Sequence, residues 1–377
     1  MVRPFRFRSF SIRFFLIVPA VVFLGWGFLH RENISVKVLP TPSPVPELGE
    51  AGVWFSRPQE FDGRYAGGPE EELILALDRA RCCVDAAVYD IDLLPVARAL
   101  LRASARGVAV RIVTDTDNED REAIGLLRGG GIPVVGDNRD GLMHDKFVVI
   151  DRGDVWAGSM NLTGNDAYLN DNNFFHIRSP ELAELFAAEF GEMFVEKFFG
   201  TDSPRAPLPA AVETGVGRVQ ALFAPDNPVA RRVIELIHGA KQSIHFLAFS
   251  FTSSQIADAL VERAAAGVEV SGVMERSQAK SNSGAQWNAL HQGGVKVYLD
   301  ANPHNMHDKV ILIDGKIVIT GSYNFTESAE NKNDEDLLIL WNSGWAAMYE
   351  KDFRRIYDLA VQKAAVSYLN PTAVLLT

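Results

Sequence analysis

The strongest constraint on this chain is that it contains itself twice. Residues 84–113 (VDAAVYDIDLLPVARALLRASARGVAVRIV) align with residues 244–273 (IHFLAFSFTSSQIADALVERAAAGVEVSGV) at a constant offset of 160. Further on, GGIPVVGDNRDGLMHDKFVVID and GGVKVYLDANPHNMHDKVILID align at an offset of 163, so a single three-residue insertion separates the two copies. Self-similarity over this length signals duplicated structural units. With 377 residues, the chain is long enough for about two domains.

Each copy runs through the same local patterns. An amphipathic stretch (residues 71–79 or 229–239) precedes an apolar strand and a helix rich in Ala and Leu that ends at Gly107 or Gly267. A second strand, a Leu-bearing helix ended by Gly-Gly, a short strand and a paired strand run follow. Strands alternating with helices predict an α/β fold with a mainly parallel sheet in each copy, and reactive groups at strand ends and the loops beyond them.

The copies do not reach the N-terminus. Arg3, Arg6, Arg8, Arg13 and Arg31 are the only charged residues among the first 31, and between Arg13 and His30 lies the uncharged run 14–29, FFLIVPAVVFLGWGFL. At about 1.5 Å per residue this run spans roughly 24 Å of a hydrocarbon core of about 30 Å. The expected organisation is a basic cytoplasmic leader (1–13), a transmembrane anchor or signal segment (14–29), and a Pro-rich stalk (30–50) in which Pro40, Pro42, Pro44 and Pro46 alternate. A first lobe (51–200), a linker (201–215) and a second lobe (216–377) complete it. The protein is then membrane-anchored or secreted, with its body on the extracytoplasmic side.

Charge narrows the partners. The chain carries 37 basic and 48 acidic residues, and five of the basic ones sit in the first 31 residues, so the remainder has 32 against 48, a net of −16. This excludes a general basic coat for nucleic acid but not a local basic site. The two cysteines, Cys82 and Cys83, are adjacent, which excludes a disulfide framework and a cysteine-based metal site.

Chemistry concentrates where each copy closes. MHDKFVVIDRGDVWAGSMNLT (143–163) and MHDKVILIDGKIVITGSYNFT (306–326) both read His-x-Lys-x4-Asp, six residues, then Gly-Ser-x-Asn. The matched residues are His144, Lys146, Asp151, Ser159 and Asn161 against His307, Lys309, Asp314, Ser322 and Asn324. In a strand, side chains two apart share a face, so each His emerges with its Lys. Two Lys and two Asn can neutralise a phosphodiester's equatorial oxygens, while two histidines provide a nucleophile and a proton donor for in-line displacement. Asp151 and Asp314 end buried strands and read as fixing the loops through hydrogen bonds; Ser159 and Ser322 suit turn capping or phosphate contact equally.

This doubled motif resembles the signature of the phospholipase D superfamily. The resemblance covers roughly residues 51–370 and implies two homologous α/β/α lobes about a pseudo-twofold axis sharing one active site. It also implies phosphodiester chemistry through a phosphohistidine without a metal or other cofactor, and His144, Lys146, Asp151, His307, Lys309 and Asp314 as the catalytic set. Further downstream the offset of 163 sets Asn172 against Glu335. A carboxylate raises a histidine's pKa more than a carboxamide does, so the expected arrangement is His307 with Glu335 as the acid and His144 with Asn172 as the nucleophile. The substrate expected is a phospholipid head-group diester, with DNA or RNA cleavage as the alternative and phosphatidyl transfer of the cardiolipin synthase kind as a third; no protein partner is implied.

Overall fold

The structure, a computed structural model, describes residues 49–369, with side chains to residue 366. The segments read as leader and anchor lie outside the described residues, as does all but the end of the stalk. Among the described residues no helix is long and apolar enough to cross a membrane.

The first lobe contains strands β1 (Ala51–Phe55), β2 (Cys83–Val88), β3 (Ala109–Thr114), β4 (Val134–Gly136), β5 (Lys146–Ile150), β6 (Asp154–Gly158) and β7 (Asn173–Arg178). They form one sheet in the order β1-β7-β6-β5-β2-β3-β4. The second lobe contains β8 (Val212–Thr214), β9 (Gly217–Ala224), β10 (Ser243–Ala248), β11 (Glu269–Met274), β12 (Lys296–Leu299), β13 (Lys309–Ile313), β14 (Ile317–Gly321) and β15 (Glu335–Trp341). Its order, β12-β11-β10-β13-β14-β15-β9-β8, repeats the first read in reverse, with β8 added at the edge. That extra strand lies in the stretch read as linker, which is therefore partly sheet.

The sheets are mixed rather than mainly parallel. Only β2-β3-β4 and β10-β11-β12 pair in parallel; the remaining neighbours are antiparallel. The reason lies in the loop that follows each His-Lys strand. Residues 151–153 and 314–316 are too short for a crossover helix, so β5 and β13 turn directly back as hairpins.

Helices cover both faces of each sheet. In the first lobe α1 (Glu70–Arg79), α2 (Leu94–Ala105) and α3 (Glu122–Gly129) bury one face; α4 (Gly164–Tyr168) follows the Gly-Ser-x-Asn motif and α5 (Pro180–Gly191) packs on the other face. In the second, α6 (Val229–Gly239), α7 (Ser254–Ala265), the short α8 (Arg276–Ser281) and α9 (Trp287–Gln292) precede α10 (Glu327–Asn331) and the long α11 (Ser343–Leu369).

A shared core makes the lobes one body. Phe147, Phe175 and Phe186 of the first lobe bury together with Phe223, Leu312 and Leu338 of the second. Along α11, Trp345, Tyr349, Phe353, Ile356 and Ala360 form a helical stripe that enters the same core. At about 1.5–3 kcal/mol for each large apolar side chain buried, a core shared in this way couples the stability of the two lobes.

Candidate active site

Backbone pairing between the lobes builds the site. The amide of His144 donates to Asp334 O at 2.9 Å, and that of Asp334 to Leu142 O at 2.9 Å. The second half repeats this: His307 N donates to Asp171 O at 2.8 Å and Asp171 N to Asn305 O at 2.9 Å. Each His-Lys strand thus begins where it is stitched to the other lobe.

This stitching crosses the histidine partners. Residues one past the stitches, Glu335 and Asn172, come to lie against the histidine of the opposite lobe. His144 Nδ1 pairs with Glu335 Oε2 at 2.7 Å and His307 Nδ1 with Asn172 Oδ1 at 2.9 Å. The arrangement expected from sequence, in which each histidine is backed from its own lobe, is corrected by this interlobe register: Glu335 backs His144 and Asn172 backs His307, so the pairing from which His307 reads as the acid does not hold, and the division of roles rests on other contacts.

The two serines act behind those partners. Ser322 Oγ donates to Glu335 Oε2 at 2.7 Å and Ser159 Oγ to Asn172 Oδ1 at 2.9 Å, both fully buried. Neither caps a helix. Each instead orients the side chain that orients a histidine.

Lys146 and Lys309 are buried beside the histidines, with Nζ donating to His144 O at 2.6 Å and to His307 O at 2.5 Å. Burial together with the charges of both lysines holds His144 well below its ordinary pKa. His307 is likewise held low by burial and Lys309, with Asp166 acting in the opposite direction. Burial and Lys146 also push Lys309 down to about 7, and burial pushes Glu335 up to about 7. Two lysines placed beside the paired histidines suit the site to an anionic group.

The sequence-derived set divides. His144, Lys146, His307, Lys309, Ser159, Ser322, Asn172 and Glu335 converge. Asp151 and Asp314, read from the family signature as catalytic, do not reach the site: each lies five residues beyond its Lys, about 16 Å along the strand. Asp151 accepts from the backbone amides of Arg81, Cys82 and Cys83, and Asp314 from those of Lys241, Gln242 and Ser243. Both close hairpin turns at positive φ. Asn324 Oδ1 accepts from Ser250 N at 3.3 Å, whereas Asn161 turns its Nδ2 onto Asp166 Oδ2 at 2.6 Å, away from the phosphate role expected of it.

Three neighbours escaped the motif. Tyr89 and Phe249 set their rings edge-on to His144 and His307, at centroid distances of 5.0 and 4.6 Å. They match at the offset of 160, a signal available in the repeat. Asp166 is the third. It has no acidic match, because the offset of 163 places Ala329 opposite it.

Beneath the site the two halves also differ. Asn173 Nδ2 donates to Asp308 Oδ1 at 2.6 Å, but the matching positions hold two acids, Asp336 and Asp145. Both Asp145 oxygens and Asp336 Oδ2 are buried without a hydrogen-bond partner. Burial, and then the charge of Asp336, raise Asp145 far above the carboxylate range, and burial pushes Asp336 up to about 6. Carboxyls raised on folding contribute stability that is present below their unfolded pKa near 4 and lost as pH rises through about 6. Asp336→Asn copies the first lobe's solution and is expected to stabilise the protein by an amount that grows from pH 5 to pH 8, reaching about 1 kcal/mol or more, with the unfolding midpoint rising accordingly. Thermal unfolding across that range checks this; a midpoint that falls at pH 8 contradicts it.

Known proteins agree with the duplication. A family profile described as "Cardiolipin synthase, PLD-like domain" matches residues 73–194 and again 233–357. A phospholipase D of Rickettsia bellii is 33% identical over 132 residues, covering 35% of this chain and 65% of that protein. A mitochondrial cardiolipin hydrolase of Xenopus tropicalis is 33% identical over 171 residues, covering 45% of this chain and 81% of its own. Among solved structures, a phosphatidylserine synthase of Haemophilus influenzae superposes with a TM-score of 0.59 at 13% identity, covering 80% of this chain and 86% of that one, a likeness of fold.

Proposed function

Because the chain belongs to the phospholipase D superfamily, we propose that it hydrolyses the head-group phosphodiester of a phospholipid through a phosphohistidine intermediate. The observation carrying this reading is the convergence of two buried His-Lys pairs, one per lobe, each backed by a side chain from the other lobe. The relatives named phospholipase D and cardiolipin hydrolase support the lipid substrate, as does the acidic body, which repels a polyanion.

The chemistry follows from the partners. Glu335 accepts the Nδ1 proton of His144, which leaves the Nε2 lone pair free to attack phosphorus. Positive charge that builds on the ring as the N–P bond forms is met by the same carboxylate. His307, protonated, gives its Nε2 proton to the departing head-group oxygen, then takes a proton from the water that attacks the phosphohistidine. Phosphatidate and the free alcohol leave, and both histidines regain their starting states. Lys146 and Lys309 neutralise the phosphoryl oxygens throughout. The leader and apolar run, in this reading, tether the catalytic unit near lipid on the extracytoplasmic side, which raises its effective concentration at the substrate.

The full-length protein in mixed micelles, assayed with EDTA present, is expected to release head-group alcohol and phosphatidate from phosphatidylcholine, phosphatidylethanolamine or cardiolipin and to leave plasmid DNA intact. Cleavage of DNA with no lipid turnover would replace the lipid reading by the nuclease one. Formation of a new phosphatidyl ester in place of phosphatidate would make the protein a transferase. Activity abolished by EDTA would overturn the metal-free mechanism.

A further inference from the structure

We propose that Asp166 is a positioning residue that favours a proton on His307 against the lysines around it, and so makes two nearly equivalent histidines chemically different; this rests on the two-histidine reading above. A duplicated site has an inherent difficulty. The reaction needs one neutral and one charged imidazole, yet the repeat surrounds both with the same groups: a Lys two residues on, the other lobe's Lys, an aromatic ring edge and the opposing histidine. Besides Asn173 against Asp336 beneath the site, two positions beside the histidines break the symmetry. One is the pair Asn172 and Glu335, and the other is Asp166 against Ala329.

Asp166 Oδ2 lies 3.7 Å from His307 Nδ1 and is almost wholly buried, at 3% exposure. Its placement is set locally. Thr163 caps α4 by accepting from Asp166 N at 3.3 Å, which puts Asp166 at the third helical position, from which an acidic side chain folds back over the cap. There Oδ2 accepts from Asn161 N at 2.8 Å and Asn161 Nδ2 at 2.6 Å, and Oδ1 accepts from Asn170 Nδ2 at 2.5 Å. Three donors and the nearby His307 hold this carboxylate ionised, below its ordinary range despite burial. It is a fixed negative charge beside one histidine and not the other.

The charged and titratable groups facing His307 are Lys309, Lys146, His144 and Asp166. The first three disfavour a proton on His307, and of these four Asp166 favours it. Glu335 lies closer to His144, at 2.7 Å, but acts there as the hydrogen-bond acceptor of the Nδ1 proton that leaves Nε2 free, whereas Asp166, at 3.7 Å and outside hydrogen-bond distance, acts on His307 through its charge. The same arrangement assigns Asn161 to holding Asp166.

The test compares Asp166→Asn with the wild-type full-length protein on two phosphodiesters, one with an alkyl alcohol leaving group and one with p-nitrophenol. An acid is needed to expel an alkoxide and hardly needed for a nitrophenolate. The alkyl ester is expected to lose about 10²-fold or more in kcat, the nitrophenyl ester only a few-fold, and the alkaline limb of the alkyl ester's profile moves to lower pH. Histidine side-chain NMR of the same variant, and of Asp166→Ser should the Asn variant fold poorly, is expected to show the His307 titration displaced downward and that of His144 in place. Equal losses on both esters with an unmoved alkaline limb and an unchanged His307 titration would overturn the assignment. A wild-type protein inactive on both esters would overturn the phosphodiesterase reading itself, and the role of Asp166 with it.

Discussion

His144→Ala is expected to lose turnover by a factor on the order of 10⁴ to 10⁶, the scale at which nucleophile removal leaves only binding and electrostatic effects. The loss should be the same for every leaving group, because without Nε2 of His144 no covalent intermediate forms. His307→Ala should behave differently. Removing a general acid costs about 10²–10⁴ with an alkoxide leaving group, and an activated ester should still phosphorylate His144. Since His307 also activates the water of the second step, the phosphorylated enzyme then accumulates. Rapid-quench kinetics on both variants distinguishes the roles; a His307→Ala protein whose losses match those of His144→Ala on both esters would show that the residues do not divide the work this way.

The second large effect concerns folding. Gly158→Ala or Gly321→Ala is expected to destabilise the protein by about 3 kcal/mol or more, the range of the costliest backbone substitutions. Both residues have φ of +150°, and a Cβ at either would sit 2.4 Å from Asn173 O or 2.3 Å from Asp336 O, on the backbone of the adjacent strand. That strand, β7 or β15, cannot yield without carrying away Asn172 or Glu335. Activity should therefore fall with stability, which is a physical reason for glycine directly before the serine of Gly-Ser-x-Asn. Gly153→Ala is the control: its Cβ would have nothing closer than 3.8 Å, and a change within about 0.5 kcal/mol is expected. Denaturant unfolding of the three variants checks the contrast, and a Gly158→Ala midpoint equal to that of Gly153→Ala would contradict it.

Much of this site was legible in the chain because duplication makes chemistry visible. A single His-x-Lys could decorate any surface strand, but two at a fixed offset with matching Gly-Ser-x-Asn identify four converging side chains. The same comparison explains what was missed. It places Asn172 and Glu335 correctly as a pair yet cannot show that each serves the other lobe, since the stitches of Asp334 to His144 and of Asp171 to His307 are backbone contacts without a side-chain signature. It passes over Asp166 because Ala329 stands opposite, although a difference between copies is where a symmetrical site acquires direction. It keeps Asp151 and Asp314 in the catalytic set because they recur, when recurrence here reflects a turn that both hairpins need. The mixed sheet was visible in the three residues after each strand, which are too few for a parallel return.

In the proposed mechanism the two lobes form one site and a first-lobe histidine takes the phosphoryl group. Mapping the phosphoenzyme tests it most directly. The full-length protein is mixed with a phosphatidyl substrate labelled in phosphorus, quenched in alkali within milliseconds, digested and sequenced by mass spectrometry. An acid-labile, alkali-stable phosphate on His144 is the predicted result, enriched in His307→Ala. Label on His307 would reverse the roles, and active enzyme that never carries phosphate on either histidine would rule out covalent catalysis by these residues.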